Sequence, residues 1–135
     1  MTQRLNEALA GHALAVMTAA GEIVTAEGRG VRPLYTLYKE RPEALRGATV
    51  ADRVVGSGAA AIMVAAGIGR LETPAISRPA LDLLTTHGIS VEATRVVEMI
   101  VNRAGTGPCP VEALTSGVDD IGRCIELIEG FFATH

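Results

Sequence analysis

The sequence predicts an α/β protein with a mixed sheet and helices on both of its faces. Three observations carry this. Residues 12–27 read as a β-hairpin. Strand and helix patterns then alternate along the chain, as β–α–β crossovers require. Ala59–Ala66 is an apolar helix with almost no polar face, so it must be covered on most sides.

Thr2 stands where an N-cap would open a short helix to about Ala10, with Leu5, Ala8 and Leu9 on one face and Gly11 after it. His12–Val16 reads as a strand, Ala19-Ala20-Gly21 as a tight turn, and Glu22–Glu27 as the returning strand. Gly28-Arg29-Gly30 breaks the hairpin. Val31, Leu34, Tyr35, Leu37 and Tyr38 then form the apolar stripe of a helix to Glu40, with Pro33 in its first turn. Arg41-Pro42 opens a connector, Ala48–Ala51 is a short strand ending at Asp52, and Gly56-Ser57-Gly58 leads into the apolar helix.

Arg70–Ile76 is the next strand, with Pro74 predicting a bend or a sheet edge. Ser77 caps a helix over Arg78–Thr86, again with a first-turn proline, Pro79. Ile89–Ala93 is a strand, and Arg95–Asn102 fits either a strand end or a short helix. Arg103–Pro110 is a Gly/Pro loop, followed by a short helix over Val111–Leu114. Asp119 and Asp120 place acids at the positive end of a last helix to about Phe132, whose stripe is Ile121, Cys124, Ile125, Ile128 and Phe132.

The 135 residues suit one domain. An apolar content of 48% against 20% charged residues excludes a disordered chain. Aromatics at 3% and a net charge of −3 argue against a nucleic-acid partner, which needs stacking platforms and a basic face. Two cysteines are too few for a stapled secreted scaffold. The start lacks the pattern of a signal peptide and Ala59–Gly67 is too short to span a bilayer, so no membrane partner and a cytoplasmic location are expected. The many Ala and Val side chains each bury little area, and extra burial in a homodimer is therefore expected.

Three constellations carry chemistry. In Asp52-Arg53-Val54-Val55-Gly56-Ser57-Gly58 a strand ends, a turn follows and a helix begins, which is where open α/β sheets bind ligands. Asp52 suits an acid/base or acceptor role, Arg53 a clamp on a carboxylate or phosphate, and Gly56 and Ser57 the exposed amides of a helix start. The plainer reading is a strand–helix turn capped by Ser57. In Asn102–Glu112, Cys109 precedes Pro110 as the N-cap of a helix, and Arg103 stands nearby in sequence. The helix dipole and a guanidinium would favour the thiolate, making Cys109 a candidate nucleophile. The plainer reading is a small buried hydrophobe. In Gly28-Arg29-Gly30-Val31-Arg32, Arg29 and Arg32 flank a turn and suit an anion, or are solvated surface charges. His12, His87 and His135 have no metal-ligand spacing, and no nucleophile elbow is present.

The runs GRGVRPLYTLYKERPEALRGATVADRVVGSGAAAIMVAAG, ISRPALDLLTTHGISVEA and NRAGTGPCPVEAL resemble the uncharacterised bacterial family DUF1893. The resemblance covers about residues 12–115, and ADRVVGSGAAA and the NR-x-GTG-x-CP-x-E loop are its specific parts. It implies a cytidine-deaminase-like fold, a three-layer α/β/α sandwich on a mixed sheet. Deaminases of that fold hold zinc at two helix starts, through a His or Cys followed two residues later by Glu, and through Pro-Cys-x-x-Cys. The corresponding turns here, Arg29–Pro33 and Asp52–Gly58, contain neither His nor Cys, so no metal and no cofactor are expected and deaminase activity does not follow from the fold.

The functional expectation is a pocket at the strand ends for a small anionic, nucleotide-like molecule. Asp52 and Cys109 would be its reactive groups, and Arg29, Arg32, Arg53, Gly56, Ser57 and Arg103 its binding groups. The alternative is a non-catalytic domain used for self-association or a protein partner.

Overall fold

The computed structural model describes residues 2–100 and 109–134. Its first helix, α1 (Gln3–Ala10), leads into the hairpin β1 (Leu14–Met17) and β2 (Ile23–Ala26). Helices α2 (Arg32–Glu40) and α3 (Pro42–Leu45) precede β3 (Thr49–Asp52) and β4 (Val54–Val55). Then follow α4 (Ser57–Ala66), β5 (Arg70–Ser77), α5 (Arg78–Thr86), β6 (Ser90–Val97), α6 (Pro110–Thr115) and α7 (Ile121–Thr134).

The six strands form one mixed sheet. β1 is antiparallel to both β2 and β3, whereas β3, β4 and β6 run parallel to β5. Arg70 pairs with Thr49 and Ser90, and Ala75 with Val54 and Arg95. A strand has two edges, so β3 and β4 share one edge of β5 and β6 takes the other.

One register runs through the β3 and β4 pairings. Ala51 lies opposite Glu72 and Val54 opposite Ala75, which puts Arg53 across from Pro74. Proline has no N–H to give the ladder. The strand breaks there, while the Thr73 hydroxyl bridges the backbone of Ala75 beside it. Pro74 thus divides what would otherwise be one strand into two.

Alternation along the strands builds two cores on opposite faces. Leu14, Val16, Val50 and Leu71 join residues of α2 to α7, including Leu34, Leu45, Ile62, Leu84, Val111 and Ile128. Ala15 and Ala51 meet only Leu5 and Leu9 of α1, with Ala8, Met17 and Ile23 at the margin. Among the described residues the faces are therefore covered unequally: α1 alone on one side, α2 to α7 on the other. α4 packs against α2, α5, α6 and α7, which explains its lack of a polar face. The apolar stripe of α7 lies on α4 and α6. Tyr35 of α2 fastens that outer helix, donating to Glu129 at 2.7 Å and meeting Phe132 edge-on at 5.1 Å. The bond to Glu129 holds the Tyr35 hydroxyl up at about 12.

Several local expectations are corrected. Arg41-Pro42 opens the one-turn helix α3 and not a plain connector. Of the two readings open for Arg95–Asn102, the strand end holds: β6 continues through Arg95 to Val97, opposite Ala75, Ile76 and Ser77 of β5. Thr2 makes no side-chain cap to α1. Its N–H and hydroxyl both go to the buried carboxylate of Glu72, which Arg70 also contacts at 3.1 Å. Those donors hold the Glu72 carboxyl below its ordinary range despite the cost of its burial. Ser77 does cap α5, its hydroxyl accepting from the Ala80 N–H. Among the described residues no helix is long and apolar enough to cross a membrane.

Candidate functional site

The strand break opens a cleft at one end of the sheet. It has a volume of about 470 Å³. Its walls come from the α1–β1 loop (Gly11, His12, Ala13), the end of β2 (Glu27, Gly28, Gly30) and the β3–β4 junction (Asp52, Arg53, Val54). A second cleft of about 490 Å³ shares Glu27 and Gly28 and is lined further by Arg29, Arg32, Pro33 and Arg41. Gly28 and Gly30 thus line the same cleft as residues 52–54, whereas Arg29 and Arg32 line the second one.

Asp52 is half-buried, and its Oδ1 accepts the Arg53 N–H at 2.8 Å. Burial pushes its carboxyl up from 3.8 to about 7, against the lowering effect of that amide and of the Arg53 charge. Asp52 thus exchanges its proton near neutrality, where acid/base work needs it.

Arg53 turns to the opposite face of the strand. Its Nη2 donates to the carbonyls of Leu9 at 2.7 Å and His12 at 2.9 Å, and lies 3.4 Å from that of Ala10. These carbonyls close the C-terminus of α1, where a cation also meets the negative end of the dipole. Arg53 lines the cleft, but its guanidinium is engaged by the protein itself and does not stand ready as an anion clamp. Arg53→Ala is expected to lower stability by about 1–2 kcal/mol through loss of these charge-assisted bonds. Amide hydrogen exchange should show faster opening of α1 alone, and uniform protection of α1 in the variant would contradict this assignment.

Two further residues of the cleft were not singled out from the sequence. His12 Nδ1 bonds the Glu27 carboxylate, which also accepts the Ala13 N–H at 3.1 Å. The bond from His12 is the main reason the Glu27 carboxyl lies below its usual range. The hairpin carried the signal. Leu14 pairs with Ala26, so counting outward from the turn sets Ala13 opposite Glu27 and His12 beside it.

Gly56 and Ser57 lie apart from the cleft lining. Glu112 of α6, only 1% exposed, accepts the Ser57 N–H at 3.1 Å, the Ser77 hydroxyl at 3.2 Å and the Ile100 N–H at 3.3 Å. The hydroxyls of Ser57 and Thr115 are bonded to each other, and Thr115 donates to the Val111 carbonyl at 2.7 Å. Gly56 caps α4 and Ser57 is its first residue, so the helix start is closed by a carboxylate from 55 residues away and not by Ser57. A Cβ on Gly56 would stand 2.6 Å from Glu112 Oε2, and one on Gly58 would strike Val111. Both glycines are there to let α6 approach.

Cys109 is the N-cap residue of α6 and half-buried against the main core, its N–H donating to the Ile100 carbonyl at 2.7 Å. It is not part of the Asp52 cleft lining. Cys124 is buried on α7. Arg32 stacks over Phe132 at 4.1 Å and Arg29 is exposed. Arg103 lies outside the described residues.

The turns at 29–33 and 52–58 do not fit a zinc ion. They carry no His or Cys, and the start of α4 is filled by Glu112. Among the described residues no three His, Cys, Asp or Glu side chains gather into a metal-holding group.

A family model described as a domain of unknown function, DUF1893, matches residues 4–132. A crystal structure of a DUF1893 family protein, TM1506 from Thermotoga maritima, is similar in fold, with a TM-score of 0.84 and 23% identity over 98% of this chain and 92% of that one. No curated protein matches.

Proposed function

We propose, for a chain that belongs to the DUF1893 family of domains of unknown function, that the cleft at the strand break binds a small anionic molecule. The observation that carries this reading is that two neighbouring clefts share Glu27 and Gly28 in their walls. Asp52 and the His12–Glu27 pair stand in one, and Arg29, Arg32 and Arg41, the last paired with Glu22 and Glu43, in the other. An anionic group reaching the arginines would be held by charge-assisted hydrogen bonds. The remainder of the ligand would then lie against Asp52, which accepts a donor when ionised or exchanges a proton with it. A nucleotide has both ends, a phosphate and a base edge with N–H donors. The fold supports this placement, since open sheets bind ligands beyond the carboxyl ends of their strands, where β2 and β3 end here. The hairpin with β1 antiparallel to its neighbours, the parallel strands after it and the single helix α1 on the second face also agree with a three-layer, cytidine-deaminase-like arrangement.

Thermal-shift titration with inorganic phosphate and with the four common nucleoside monophosphates tests the proposal. At a hundred times the Kd a ligand stabilises by about 2.7 kcal/mol, a readily measured rise in Tm. Wild type is expected to respond to at least one nucleotide, Arg29→Ala more weakly, and Asp52→Asn with altered selectivity among bases. A response that is equal in all three proteins, or none in wild type, would overturn the reading.

A further inference from the structure

We propose that the N-termini of α4 and α5 form an oxyanion cradle whose native occupant is the chain's own Glu112, and that this internal ligand latches α6 and Cys109 in place. The proposal is independent of the Asp52 cleft. Its first support is the donor set. The Ser57 N–H, the Ser77 hydroxyl and the Ile100 N–H come from three separate parts of the chain and converge on one carboxylate. Two of them sit at helix N-termini, where backbone amides and dipoles favour negative charge. Ser57 and Ser77 are 3% and 0% exposed, so the donors face the carboxylate and not water.

The second support is that the cradle is already filled. A carboxylate lies in it with both oxygens engaged, Oε1 by Ser57 and Ser77 and Oε2 by Ile100. Gly56 leaves room for that oxygen and for nothing larger on its own Cβ. The chemical class of occupant follows: a small planar oxyanion of carboxylate size.

The third support is the mechanical connection. Glu112 is three residues beyond Cys109 on the six-residue helix α6. The bond from the Cys109 N–H to the Ile100 carbonyl lies on the same short stretch as the bond from the Ile100 N–H to Glu112. Ile100 is thus gripped at both its N–H and its carbonyl, once by each end of the latch. Releasing the carboxylate loosens Ile100 and removes the anchor that holds the Cys109 end of α6 to the core. The half-buried Cys109 then becomes more exposed without any chemistry on the thiol itself.

The test reads the alkylation rate of Cys109 by iodoacetamide in a Cys124→Ala background. Glu112→Ala is expected to raise the rate roughly tenfold, because a half-buried thiol reacts faster from the loosened population. Millimolar sodium formate should bring the rate back in a saturable manner, while sodium chloride at equal ionic strength should not. Glu112→Gln, which keeps the shape but not the charge, should be intermediate and indifferent to formate, since its amide still fills the site. Should Glu112→Ala not fold in buffer, its refolding yield becomes the readout, and recovery in formate but not in chloride supports the cradle. A folded Glu112→Ala protein whose rate ignores formate would overturn the proposal. So would a refolding failure that formate does not relieve, or a Glu112→Gln protein as slow as wild type.

Discussion

Asp52→Asn is expected to make the protein more stable above pH 7, and to remove most of the pH dependence between about 4 and 7. Burial raises the Asp52 carboxyl from 3.8 to about 7 in the fold. Between these values the native state holds a proton that the unfolded chain has released, so wild-type stability falls as pH rises through the window. Below the unfolded value both states are protonated and nothing is lost. Above the folded value both are ionised and the loss is complete. At about 1.4 kcal/mol per unit the loss amounts to roughly 4 kcal/mol at most. Asparagine is neutral throughout and does not suffer it, although its amide must still find partners beside the Arg53 N–H. Urea unfolding of both proteins at about pH 4, 6 and 8 measures the effect. A wild-type stability that is level across that range, or an equal slope in the variant, would refute it. A carboxyl kept against stability on the wall of a cleft accords with the binding role proposed for it.

Glu112→Ala is expected to be the most damaging single substitution. It leaves the buried Ser57 N–H and Ser77 hydroxyl, and the part-buried Ile100 N–H, without their acceptor. Each stranded buried donor costs about 1–3 kcal/mol, so the Ser57 N–H and the Ser77 hydroxyl together cost about 2–6 kcal/mol. Against an ordinary total stability of about 5–15 kcal/mol, the variant stands near unfolding at room temperature. Glu112→Gln retains a carbonyl oxygen and is expected to lose about half as much. Denaturant midpoints rank the three proteins, and a Glu112→Ala midpoint equal to wild type would show that the cluster contributes no net stability.

What was legible in the sequence was what is local. The hairpin, the Ser77 cap, the proline starts of α2 and α5 and the stripe of α7 all rest on neighbours within a few residues. The strand-end turns were also legible, and Asp52 does line a cleft beside Gly28 and Gly30. Arg53 was not, because its role depends on where the C-terminus of α1 comes to rest, more than 40 residues away in sequence. Glu112 stood in a conspicuous loop motif, yet a glutamate there does not announce that Ser57 and Ser77 will be its donors. The apolar stripe of α7 showed that the helix is buried but not that α4, and not the sheet, receives it. The unequal covering of the two faces has the same origin: periodicity says how much of a helix is hidden, and topology says behind what.

Pro74 has a consequence for how the cleft is inherited and altered. The cleft exists where the ladder between neighbouring strands is interrupted, and the interruption is written on β5, in a residue that is not part of the cleft lining. The shape of the opening and the identity of its lining are thus specified by separate stretches of chain. The lining can vary in charge and size while the opening persists, and a change at one backbone nitrogen can alter the opening while every lining residue is retained. On the proposed binding role, specificity is free to drift while the opening stays in place.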